Sequence, residues 1–154
     1  MNILIAPFSQ KLRPPKEGKT NPKNYPWWPE LIELLKDHSI TQIGVEGEPR
    51  LAPTFLKGLQ YNHIKTLVNE KDFWISVDSF LPHLAQFTNK NGVVLWGPSD
   101  PLIYGYSNNL NILKDRSYLR PDQFNIWEAI DHNPDAFVKP EEVYTKIKEF
   151  FALP

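Results

Sequence analysis

The chain contains no cysteine, which excludes a disulfide framework, a zinc–thiolate site and a thiol nucleophile. It has no surplus of either charge: the formal net charge is -1, whereas proteins that coat nucleic acid carry a strong basic excess. No apolar run is long enough to span a bilayer. The opening residues MNILIAPFSQ lack the charged region and long apolar stretch of a secretory signal. These absences point to a cytoplasmic protein with no membrane span and no nucleic-acid partner. Histidine is sparse as well, and His38, His63, His83 and His132 show no paired ligand spacing, so no metal is implied.

What is present is ordinary in bulk and unusual in detail. The 154 residues suit a single domain, 1–154, with a real core. Hydrophobic residues at 41% and charged residues at 23% are the proportions of a globular chain. The 15 prolines and 13% aromatics stand out, and they imply many fixed turns and large, rigid packing groups.

In chain order, Ile3 to Ala6 reads as a buried strand that Pro7 ends. Ser9 to Pro26 is a long proline-rich loop without helical or strand period, and it carries Lys11, Arg13, Lys16, Lys19 and Lys23 against Glu17. A basic loop leaving a strand end can neutralise a phosphate, although on charge alone a solvated run is the plainer reading. Gly18-Lys19-Thr20 does not complete a P-loop, because Arg13 stands where the leading glycine belongs and Pro22 and Pro26 oppose a following helix. Trp27 to Asp37 has a helical apolar stripe of Trp28, Leu31, Ile32 and Leu35, with Pro29 in its first turn.

Gln42 to Val45 reads as the second strand, followed by the turn Glu46-Gly47-Glu48-Pro49 with its two carboxylates. Leu51 to Leu59 is expected as a short helix and Ile64 to Val68 as the third strand. Leu110 to Leu113 is a last strand, 115–134 shows turns, Trp127 and little period, and Pro140 to Phe151 is a closing helix with Pro at its first position. Strands alternating with helices predict an α/β fold around a parallel sheet, with right-handed crossovers bringing the loops to one edge.

The centre of the chain is WISVDSFLPHLAQFTNKNGVVLWGPSDP, 74–101. Trp74 to Val77 forms a strand, Asp78-Ser79 favours a helix cap, and Phe80 to Phe87 supplies a short apolar-striped helix. Val93 to Trp96 is another buried strand, and Gly97 to Pro101 a loop that cannot continue it. A helix start at the end of a parallel strand is where open α/β sheets bind ligands, phosphates in particular. Ser79 and His83 share a helix face, but without a G-x-S-x-G elbow they do not suggest a hydrolytic triad. Taken alone, Asp78 and Ser79 read as a cap and His83 as a residue satisfied by a backbone group.

The run ISVDSFLPHLAQFTNKNGVVLWGPSDP resembles the signature of family 9 glycosyltransferases, the heptosyltransferase-like enzymes, whose pattern is D-[ST]-G-x-x-H-x-A, a strand and F-G-P-T-D-P. Asp78, Ser79, His83, Ala85, Gly97, Pro98, Asp100 and Pro101 fall on it, with Ser99 in place of threonine. Lys23-Asn24-Tyr25-Pro26 resembles the family's basic K-x-[WY]-P lead-in, Glu46-Gly47-Glu48 its glycine-acid turn, and 139–143 its closing helix. The resemblance implies a Rossmann-like domain like the C-terminal half of a GT-B enzyme, binding a nucleotide-diphosphate sugar, ADP-linked in that family, without a further cofactor. It places Asp78, Ser79 and His83 at the sugar and diphosphate. It gives Lys23 to the phosphate with Ser9 assisting, and Glu48 or Glu46 to the ribose hydroxyls.

The departures carry equal weight. Phe80 stands where the family has glycine, at the closest approach of ligand to backbone, and Pro82 replaces a methionine-like residue. The segment between Val68 and Trp74 is too short for the family's helix before the central strand, which would leave one sheet face less covered. The chain corresponds to one half of a two-domain enzyme, so the acceptor site and catalytic base are expected from a separate acceptor-domain subunit or a homodimer. A hexosyl- or heptosyl-type glycosyltransferase lacking its own acceptor domain is one expectation. A non-catalytic nucleotide-binding or regulatory module is the alternative, and an interaction surface with Phe80 filling the old pocket is the third.

Overall fold

Alternate residues of the first strand point to opposite sides, and both sides are buried. In β1 (Asn2–Ala6), Ile3 and Ile5 join one apolar cluster and Leu4 and Ala6 another. The same division holds in β4 (Phe73–Val77), where Phe73, Ile75 and Val77 face one way and Trp74 the other. Burial on both faces is the condition under which all-parallel sheets form. The computed structural model, which describes residues 1–125 and 130–154, contains such a sheet. Its six parallel strands are ordered β3-β2-β1-β4-β5-β6, with β2 (Ser39–Gly44), β3 (Thr54–Lys57), β5 (Gly92–Leu95) and β6 (Leu110–Ile112). The α/β parallel fold is as the alternation of elements predicted. Trp127 lies outside the described residues.

Helices close both faces. On one, α1 (Trp28–Leu34) brings Trp28 and Leu31, and α5 (Pro140–Phe150) brings Val143 and Ile147. Both start as the sequence suggests, with proline in the first turn and acids beside it. On the other face lie α2 (Tyr61–Glu70) and α3 (Phe80–Ala85), contributing Ile64, Val68, Leu81 and Ala85. None of the helices among the described residues is long and apolar enough to cross a membrane.

Two expectations are corrected here. The segment around Ile64 to Val68 is helix α2, not a strand, and Leu51 to Leu59 contains strand β3, not a helix. Ile64, Leu67 and Val68 recur at i, i+3 and i+4, and a short apolar run with β-branched residues does not by itself separate the two periods. The swap also overturns the expected thin cover on one sheet face, because α2 is the helix that precedes the central strand.

With α2 accounted for, β2 and β3 are joined by a loop instead of a crossover helix. Gln42, fully buried in β2, organises that loop. Its Oε1 accepts from the backbone N–H groups of Leu51 (2.8 Å) and Ala52 (3.3 Å), and its Nε2 donates to the Pro49 carbonyl (2.9 Å). The strand order reverses between β1 and β4, which puts a crevice beyond their carboxyl ends, where Ala6 is paired with Ser76.

Candidate functional site

The loop leaving β1 returns to the crevice because amide side chains fold it back. Asn21, almost fully buried, donates from Nδ2 to the Gln10 carbonyl and accepts from the Lys23 N–H. Asn24 Oδ1 accepts from the Ser9 N–H at 2.8 Å. The Trp28 indole donates to the Pro7 carbonyl, and the Tyr25 hydroxyl to that of Val138. The loop is therefore anchored at both ends, and Lys23 is held inward rather than solvated. Its Nζ lies 3.1 Å from Asp78 Oδ2, with both side chains mostly buried.

Asp78 and Ser79 follow β4, and neither acts as the expected cap. Ser79 occupies the position before α3 without a side-chain bond into the helix. Its Oγ instead meets Ser76 Oγ at 3.1 Å, and Ser76 donates to the Val77 carbonyl. His83 Nδ1 pairs with the Tyr106 hydroxyl at 2.8 Å, a side-chain partner in place of the expected backbone one, and not with Ser79. Phe80 stacks on Tyr61, with ring centroids 5.8 Å apart.

The glycine-proline loop after β5 is architectural. A Cβ on Gly97 would meet the buried Phe137 ring at 2.4 Å, so only glycine lets that ring close the core. Asp100 caps α4 (Pro101–Tyr104) by accepting from the Leu102 N–H, and a two-pronged pairing with Arg116 at 2.9 and 2.7 Å holds its carboxyl below the usual aspartate range. Gln123, from the segment folded over this loop, donates to the Pro98 carbonyl and accepts from the Asp100 N–H, both at 2.9 Å. The Arg120 N–H donates to that same Pro98 carbonyl. In this way the loop carries residues 116–125 to the edge of the crevice.

The result is two adjoining cavities. The first, about 640 Å³, is the more polar of the two and takes in Ser9, Lys23, Asp78, Ser79 and His83 beside aromatic rings. The second, about 440 Å³, is largely apolar, with Ile43, Leu56 and Ile64 around the Glu48 carboxylate. Phe8, Ser9, Tyr61 and Phe80 belong to both walls, so Phe80 divides the space without filling either part. Burial raises the Glu48 carboxyl above the usual glutamate range, against the pull of a hydrogen bond from the Val45 backbone and the charge of Lys11. Gly44 makes room for it, since a Cβ there would meet Glu48 Oε2 at 2.0 Å.

The structure thus gathers Ser9, Lys23, Asp78, Ser79 and His83 around one cavity and sets Glu48 in its neighbour. Glu46 lines neither; it is exposed and pairs with Lys57 at 3.3 Å. Sequence reasoning missed Phe8, Tyr61, Tyr104, Arg120 and Gln123. The first two are aromatics in or beside loops, and the others owe their places to contacts with the 97–101 loop that no local pattern announces. Among the described residues no cluster of His, Asp and Glu side chains is placed to hold a metal ion.

No protein-family model matches the sequence, and no curated protein matches it. Solved structures do. ADP-heptose LPS heptosyltransferase II of E. coli aligns over 98% of this chain and 46% of its own, at 18% identity and a TM-score of 0.66. The fold is that of half a heptosyltransferase. E. coli heptosyltransferase WaaC, solved with ADP, aligns over 96% of this chain and 43% of its own at 21% identity, TM-score 0.61. The dodecameric iron-containing heptosyltransferase TibC, in complex with ADP-D-beta-D-heptose, covers 90% and 35% at 17% identity, TM-score 0.60. The chain spans less than half the length of each of these enzymes, and the likeness is one of fold.

Proposed function

We propose that the paired cavities hold the nucleotide and diphosphate of an activated sugar, with a glycosyltransferase as the enzyme class. The observation that carries this reading is the convergence of Ser9, Lys23, Asp78, Ser79 and His83 on one polar cavity at the switch point of a heptosyltransferase-like sheet. The adjoining apolar cavity suits a base, and Glu48 is a carboxylate acceptor suited to a ribose diol. Two of the similar enzymes were solved with ADP or ADP-heptose, which makes adenine the first base to test.

Within the cavity Asp78 is engaged by Lys23, and His83 Nδ1 by Tyr106. These groups are arranged to bind rather than to accept the acceptor's proton. Transfer, on this reading, draws its base and acceptor pocket from a second domain or subunit across the crevice.

Calorimetry with ADP and ADP-sugars tests the proposal. Binding by the wild type is expected, weakened roughly ten- to hundredfold in Lys23→Ala, the range for loss of a charged hydrogen bond to phosphate. No heat with any nucleoside diphosphate or nucleotide-sugar sinks it.

A further inference from the structure

Arg120 lines the polar cavity and belongs to no motif. It is only 7% exposed, yet no carboxylate pairs with it among the described residues. Nη1 and Nη2 donate to the backbone carbonyls of Asn125 and Gln123, and Nε is buried without a partner. Four positions earlier, Arg116 shows what a structural arginine does in this segment: it is half exposed and its charge is answered by Asp100. The other cation in the cavity wall, Lys23, is answered by Asp78. A buried guanidinium whose charge meets only neutral carbonyls is costly, and bonds to the Pro98 carbonyl from the Arg120 backbone N–H and the Gln123 side-chain amide keep it there.

We infer that Arg120 is the anion-binding residue of this cavity, and that an oxyanion of the ligand supplies its missing counter-charge. The oxyanion is either the diphosphate of the donor or an acid group on the sugar. The inference rests on the donor-site reading for its choice of ligand; the unanswered charge stands apart from it.

The full chain and its Arg120→Gln and Arg120→Lys variants would be titrated with inorganic pyrophosphate, glucuronate and neutral adenosine. Arg120→Gln is expected to weaken pyrophosphate roughly ten- to hundredfold and to leave adenosine unchanged. Arg120→Lys should recover part of the loss, since it keeps the charge but not the two-pronged geometry. A loss confined to glucuronate assigns the anion to the sugar and supports the inference equally. Equal affinities in wild type and Arg120→Gln for both anions overturn it, as does a wild type that binds neither.

Should the variants not fold, the wild-type Arg120 Nε–H resonance decides: a shift with either anion supports the inference, and no shift with both overturns it. The two readings separate cleanly. A wild type that binds pyrophosphate through Arg120 but ADP no more tightly leaves the anion site standing and removes the nucleotide. One that prefers ADP while Arg120→Gln binds pyrophosphate normally does the reverse.

Discussion

Glu48 carries a carboxylate into apolar surroundings, and its raised pKa records the cost. The sign follows from linkage: for an acid raised in the folded state, the stabilising contribution is complete below the unfolded pKa and lost as pH rises through the folded one. At neutral pH the ionised Glu48 therefore opposes folding. Glu48→Gln is expected to raise the melting temperature at about pH 7 and leave it nearly unchanged near pH 4, as a thermal melt at each pH would show. If Glu48 serves a ribose diol as proposed, the same variant loses about tenfold in ADP affinity. A variant less stable at neutral pH with unaltered affinity contradicts both halves of the argument. Lys23 and Asp78 make a related point at this scale. Each is a ligand residue by the family resemblance, and the fold pairs them with each other, so a phosphate bound as proposed would meet a cation already oriented.

Among the elements, the β2–β3 connection is the irregular one, and Gln42 does there what a crossover helix does elsewhere. Its side chain satisfies three backbone groups of the loop. Gln42→Ala should orphan them and destabilise the protein by about 2–4 kcal/mol; urea unfolding measures it, and a change within about 0.5 kcal/mol would show that the loop holds its own shape. This connection also marks where the sequence was hardest to read. The buried strands declare themselves because Ile3-Leu4-Ile5 and Trp74-Ile75-Ser76-Val77 are apolar on both faces, and α5 because Pro140 and its acids announce a start. β3 and α2 do not, since Phe55 and Leu56 are too few to set a period and Ile64, Leu67 and Val68 suit either one. In the site, Lys23, Asp78, Ser79 and His83 could be found through a motif, whereas Arg120 and Gln123 could not. Their positions depend on the Pro98 carbonyl and the Asp100 amide, groups that every sequence possesses and none advertises.

At the scale of the whole molecule, the fold supplies one wall of a crevice. Of the ionisable side chains around the cavity, Lys23 and Asp78 are committed to each other, and His83 is engaged by Tyr106. The chain by itself is expected to bind a nucleotide-sugar and release free sugar from it slowly, without transfer to an added acceptor. Chromatographic assay of the donor, with and without candidate acceptors, checks this. Transfer at an enzyme's ordinary rate by the isolated chain would show that a base and acceptor pocket are present after all.

The sheet order has one more consequence, for how the molecule comes to be made. β1 lies between β2 and β4 and is synthesised before either. Ile3 has Ile40 opposite it on one side and Phe73 on the other. On the ribosome the nascent strand stays half-partnered until β4 has emerged, through the whole interval in which the basic loop, α1, β2, β3 and α2 are produced. Pairings so distant in sequence close slowly, and an apolar strand left waiting is prone to associate with other chains. The two halves of the sheet are joined through the β1–β4 pairing, so the crevice at that seam has to wait for β4 to emerge.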